Sequence, residues 1–114
     1  IDTGSNYSER YSVNGSADST ETSVSNMYGL VGQGNSASNV INFTNGFIVN
    51  NASNEKLFIA DSTFGLDGAS NVNGRSEAVG KWANTSNQID IIKLLTPAGS
   101  GNWIAGQVKV WGHD

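Results

Sequence analysis

Apolar and polar residues alternate along much of this chain with a period of two, the pattern of half-buried β-strands. The most hydrophobic long unit is residues 75–96, RSEAVGKWANTSNQIDIIKLLT. It reads as two strands joined by a polar turn. In the first arm Ala78 lies on one face and Val79 and Lys81 on the other, before a Gly80 kink and then Trp82 and Ala83. The second arm alternates Ile89 and Ile91 with Gln88 and Asp90, then closes into Ile92-Lys93-Leu94-Leu95. Asn84-Thr85-Ser86-Asn87 between them carries the side-chain amides and hydroxyls that make turns. The rest of the chain is expected to supply a second surface that buries Trp82, Ile89, Ile91 and Leu94.

Residues 7–13 alternate, with Tyr7, Tyr11 and Val13 on one face; Glu9 interrupts that face, which suggests an edge strand or a wet side. Asn14-Gly15 is a strong turn signal. Residues 16–22 read as polar loop, 21–30 as a strand and 29–38 as a loop rich in Gly, Ser and Asn. Residues 39–50, NVINFTNGFIVN, allow a tight hairpin turning at Asn45-Gly46 or one long strand with a bulge at Gly46. The shortness of each arm favours the single bulged strand. A turn at 50–54 and a strand at 56–64 follow, with Leu57 and Ile59 on one face and Phe58 and Ala60 on the other. A Gly/Asn/Asp loop at 65–74 precedes the hydrophobic unit. Pro97 marks a loop, and residues 106–112 read as a closing strand in which Val108 and Val110 alternate with Gln107, Lys109 and Trp111. No stretch has the period of a three-turn helix. Strands at intervals near ten residues predict an all-β fold, an antiparallel β-sandwich or barrel.

The chain has 114 residues, enough for one domain with a modest core, so residues 1–114 are read as a single β-sandwich domain. Hydrophobic residues make up 37% and charged residues 14%; Ser, Thr, Asn and Gly fill the difference, as in turn-rich all-β extracellular or virion proteins. The net charge of −4 and six scattered Lys and Arg residues argue against nucleic-acid binding and against adhesion to anionic membranes. No apolar run is long enough for membrane insertion by a helix. With no cysteine there is neither a disulfide nor a Cys-ligated zinc site. The chain starts at Ile1, and Asp2-Thr3-Gly4-Ser5-Asn6 is turn chemistry, so a fragment of a longer protein is expected.

Catalytic signatures are weak. The single His113 lies next to the terminus, and Gly99-Ser100-Gly101 is a loop rather than a nucleophile elbow. Asp61, Asp67, Glu77 and Asp90 are the carboxylates from which an acid–base pair could be drawn, but nothing in the sequence fixes their separation. The loop 67–74 offers oxygen ligands without the acid spacing of a calcium loop, and Gly32-x-Gly34 lacks the following helix a phosphate site needs. No catalytic residue, metal ligand or cofactor is assigned. Trp103 and Trp111 are candidates for a glycan-stacking platform, with Asn102 and Asp67 reading hydroxyls; the simpler role for tryptophan is burial in a core or interface. Asn6, Asn14, Asn42, Asn51 and Asn84 each open an Asn-x-Ser/Thr sequon, a frequent coincidence in such a composition.

Asp2-Thr3-Gly4-Ser5-Asn6-Tyr7-Ser8, Arg10-Tyr11 and Asn14-Gly15-Ser16 resemble the D-T-G-x-N-Y segment of tail-, fibre- or capsid-associated proteins of phages and environmental viruses. Residues 54–59, 73–77 and 79–86 and the ending Ala105-Gly106-Gln107-Val108-Lys109-Val110-Trp111-Gly112 are similar to archaeal and viral environmental sequences with the same architecture, with Gly106-Gln107 where the group has Gly-Ser. The resemblance covers nearly the whole chain through structural residues and carries over no functional ones. It implies a jelly-roll-like sandwich that lacks one or two N-terminal strands. It also implies a non-enzymatic virion or appendage role, extracellular, in which copies of the chain or other virion subunits are the partners. A host-surface glycan is the alternative partner.

Overall fold

The computed structural model describes residues 2–29, 40–66, 68–95 and 105–112. The fold is all β. Strands β1 (Tyr7–Val13), β2 (Ser19–Val24), β3 (Val40–Val49), β4 (Lys56–Leu66) and β5 (Gly74–Trp82) form one antiparallel sheet in the order β2-β1-β5-β4-β3. Among the described residues there is no helix and no second sheet.

The turn after β1 follows from its sequence. Asn14 and Gly15 both adopt left-handed φ values, 54° and 73°, and Ser16 N closes the turn on Val13 O at 3.0 Å. Asn14 then anchors the turn to β5: its N donates to Arg75 O, and its Oδ1 accepts from Arg75 N, each at 2.9 Å. At the other Asn-Gly pair the chain does not turn. β3 runs straight through Asn45 and Gly46, with an unbroken register from Val40↔Leu66 to Val49↔Leu57. The long single strand is therefore present, without the expected bulge. Gly46 serves close approach instead: a Cβ there would lie 2.9 Å from Ile59 O.

Four further expectations are corrected. The hairpin over 75–96 does not form. Its first arm is β5, whose two edges are taken by β1 and β4, so the second arm, 88–95, has no place beside it and is in no strand. The long-range pairs prevail because they occupy both sides of β5, from Tyr7↔Trp82 to Val13↔Ser76 on one side and over its full length, from Lys56↔Trp82 to Phe64↔Gly74, on the other. β1 is an inner strand rather than an edge, and Glu9 is buried rather than wet. β2 begins at Ser19, inside the stretch read as loop, because its backbone completes the free side of β1. Residues 106–112, read as a closing strand, are not paired into the sheet.

Residues paired across an antiparallel ladder project to the same face. One face carries Glu9, Lys56, Ala60, Ser62, Ser76 and Ala78, all buried. This packed face is lined centrally by small side chains, which lets residues 25–29 fold over β1 and β5. A Cβ at Gly80 would lie 2.5 Å from Met27 Sδ, and one at Gly29 would lie 2.6 Å from Tyr11 Cβ. The opposite, open face carries the apolar row Phe47–Ile59–Val79, beside Val49 and Leu57, and beyond them Phe43 and Ile41 on β3.

Candidate functional site

The residues that sequence reasoning singled out do not converge. Trp103, Asn102 and Asp67 lie outside the described residues, as do His113, Gly32, Gly34 and Gly99-Ser100-Gly101. Trp111 is described and stands 80% exposed. Trp82, by contrast, is a structural residue. It stacks on Tyr7 with ring centroids 6.4 Å apart, its Nε1 donates to Asp2 Oδ2 at 2.7 Å, and Lys56 Nζ sits 5.6 Å from its ring centroid. The Trp82 hydrogen bond, helped by those from Gly4 N and Asn6, holds the Asp2 carboxyl below its ordinary range.

Of the candidate carboxylates, Asp61 and Glu77 are brought side by side, as direct partners between β4 and β5 on the open face. Both are exposed, and Arg75 Nη1 engages Glu77 Oε1 at 3.2 Å. They sit on a flat surface rather than in a water-excluding cleft, which is where paired carboxylates acquire separated acid and base roles. Asp90 is exposed on segment 88–95, which belongs to no strand. Among the described residues no cluster of three or more His, Cys, Asp or Glu residues could hold a metal ion.

Two buried charged groups were not recognised as such. Glu9 is 3% exposed and accepts hydrogen bonds from Tyr28 N at 2.7 Å and Gly29 N at 2.8 Å. Desolvation raises its carboxyl above the ordinary range, the two amides oppose that shift, and Glu21 directly opposite on β2 adds to it. The interruption of apolar alternation on β1 was the available signal. Lys56 is fully buried; its Nζ donates to Asn54 O at 2.8 Å and to Asn84 O at 2.6 Å, joining the turns before β4 and after β5. Nothing in the local sequence separates it from an ordinary surface lysine. Asn50 plays a related part: its side-chain amide exchanges two hydrogen bonds with the Ile89 backbone, at 2.7 Å and 3.0 Å, and so fixes the start of segment 88–95 at the end of β3.

The surface best suited to interaction is the open face. Phe47 is 70% exposed, and its neighbours across the sheet, Ile59 and Val79, are 50% and 48% exposed. The apolar row ends across the sheet at Arg10, next to Val79 and paired with Asp18, and toward the start of β5 the face carries the Arg75–Glu77 pair; the exposed positions of both ion pairs make them worth little. An open depression beside the patch, lined by Ile48, Val49, Asn50, Asn51, Ala52 and Gln88, lies where segment 88–95 leaves the sheet. No family model, no curated protein and no solved structure matches the chain.

Proposed function

We propose that this chain is a non-enzymatic structural or appendage subunit of a virion, a capsid decoration, tail or fibre protein that docks on copies of itself or on other virion subunits. The observation that carries the reading is the open face. A sheet face on which large apolar side chains stand 48–70% exposed is one that further protein covers. Five strands at about 4.8 Å spacing make that face roughly 24 Å wide. Segments 88–95 and 105–112 of the chain bring exposed apolar residues, Ile91, Ile92, Leu94, Val108 and Val110 among them. As two strands they would span only about 10 Å of the width. In this reading they join the second layer of a jelly-roll-like sandwich, and protein beyond the described residues completes it. The resemblance to phage and environmental-virus proteins supports the virion setting and an extracellular location.

The test is the mass of the native protein in solution, together with imaging of particles from its source. Assembly with itself, or incorporation into particles, is the expected result. A monomer that joins no particle refutes the reading. A second reading rests on Trp111: an indole with 80% of its surface open offers a stacking platform for a pyranose ring. In that case the chain is the adhesive part of an appendage, and Trp111→Ala abolishes binding on a glycan array. Unchanged binding, or none to begin with, removes it.

A further inference from the structure

The two edges of the sheet are built differently. The β2 edge is short and irregular: six residues, Glu21 within it, a left-handed φ of 55° at Ser23 and a register shift against β1 between Tyr7 and Ser8. Such features discourage another strand from pairing. β3 has none of them. It runs for ten residues, VINFTNGFIV, without Pro, Lys, Arg, Asp or Glu, and holds an unbroken register with β4. Among the described residues it has a sheet partner on one side only. The open edge ends at Val49, because the next residue, Asn50, is held by Ile89.

We infer that β3 pairs antiparallel with β3 of a second copy of this chain about a two-fold axis at Asn45, joining two sheets into one of ten strands. This rests on the reading of the chain as an assembling subunit and commits that reading to one contact. The sequence of the strand selects the partner. A two-fold axis perpendicular to the sheet keeps the open faces of both copies on one side, so paired residues must share a face. Centred on Asn45, the register sets Phe43 against Phe47 of the other copy, Ile41 against Val49, and Asn45 against itself. Every pair on the open face is then aromatic with aromatic, aliphatic with aliphatic or amide with amide; the two Phe43–Phe47 pairs are of a kind that favours cross-strand pairing, and no pair sets like charges together. The same four apolar residues are 59–70% exposed in the single chain. Charge points the same way. In a chain of net charge −4, a two-fold contact risks setting like charges together, and the β3 edge has none to oppose. Nine paired residues form about eight to ten inter-chain backbone hydrogen bonds, the number a typical protein interface carries.

The absence of cysteine gives a clean reporter. Asn45→Cys places one thiol from each copy at the axis, at a Cα separation that a disulfide spans. Under mild oxidation it is expected to give about ten-fold more cross-linked dimer than Thr20→Cys on the β2 edge. Asn45→Lys sets two like charges on the axis and is expected to halve the mass of the dimer while leaving the β-sheet circular dichroism unchanged. A native chain that stays monomeric overturns this pairing, and one that also joins no particle overturns the assembly reading as well. An assembly that gives no cross-link at Asn45→Cys and survives Asn45→Lys overturns the pairing alone.

Discussion

Gly29 N donates a 2.8 Å hydrogen bond to Glu9 Oε2, tying the chain five residues beyond β2 back to β1. Tyr28 N serves the other carboxylate oxygen at 2.7 Å. Glu9→Ala leaves both amides without their acceptor, a loss of about 1–3 kcal/mol for each that stays buried. Chemical denaturation reads the change directly; an unaltered midpoint would mean that the loop does not depend on Glu9.

The same carboxylate sets a pH dependence. Because burial raises its folded-state pKa above the ordinary 4.5, the folded chain holds the proton more tightly than the unfolded chain. The stabilising contribution is therefore fully present below 4.5 and is lost as pH rises through the raised folded value. Glu9→Gln, which does not titrate, lacks that slope. Thermal unfolding of both proteins across this range shows the difference.

Asp2 behaves in the opposite sense. Its folded-state pKa is lowered, chiefly by the Trp82 indole, so its contribution is present above the ordinary 3.8 and is lost as pH falls through the lowered value. Asp2→Asn removes this acid-side loss. In an acid titration followed by tryptophan fluorescence, with Trp82→Phe as the reference, the Trp82 signal is expected to change below pH 3.8 in the native protein and to stay flat in Asp2→Asn.

Gly46→Ala tests the straight path of β3. An added Cβ meets Ile59 O, a backbone atom that cannot swing aside, so a loss of about 1–3 kcal/mol is expected. Gly106→Ala and Gly112→Ala, where a Cβ meets nothing within 4 Å, are the neutral controls. Equal stability for all three would place Gly46 in a turn or a looser strand.

Gly15→Ala strains a residue held at φ 73°, and about 1 kcal/mol of destabilisation is expected. Asn14→Ala loses the side-chain acceptor for Arg75 N as well as a residue tolerant of left-handed backbone, and is expected to cost about 1–2 kcal/mol. Denaturant midpoints measure both. A larger effect at Gly15 than at Asn14 would mean that the link to β5 contributes little.

Period-two alternation located β1 to the residue, because Tyr7, Tyr11 and Val13 on one face differ sharply from Ser8, Arg10 and Ser12 on the other; β4 was located within two residues by a strand-forming run with apolar side chains on both faces. Asn14-Gly15 and Asn45-Gly46 are the same dipeptide with opposite outcomes. Only the first needs left-handed backbone; the second is held extended by ten ladder positions on β4, information that lies elsewhere in the chain. The hairpin over 75–96 misled for the same reason, since its turn residues are genuine. Asn84 Oδ1 accepts from Ser86 N and Asn87 N, yet the segment beyond it leaves the sheet. Three of the five sequon asparagines, Asn14, Asn51 and Asn84, use their side chains in turns, which accounts for their frequency without glycosylation. The buried Lys56 depends on carbonyls 2 and 28 residues away, a relationship no local pattern encodes.

The mass of the native protein, by light scattering over a range of concentrations, tests the central claim most directly. The account predicts a dimer or larger assembly of copies, with a mass that falls in Asn45→Lys. A stable monomer at every concentration, absent from particles of its source, would contradict it.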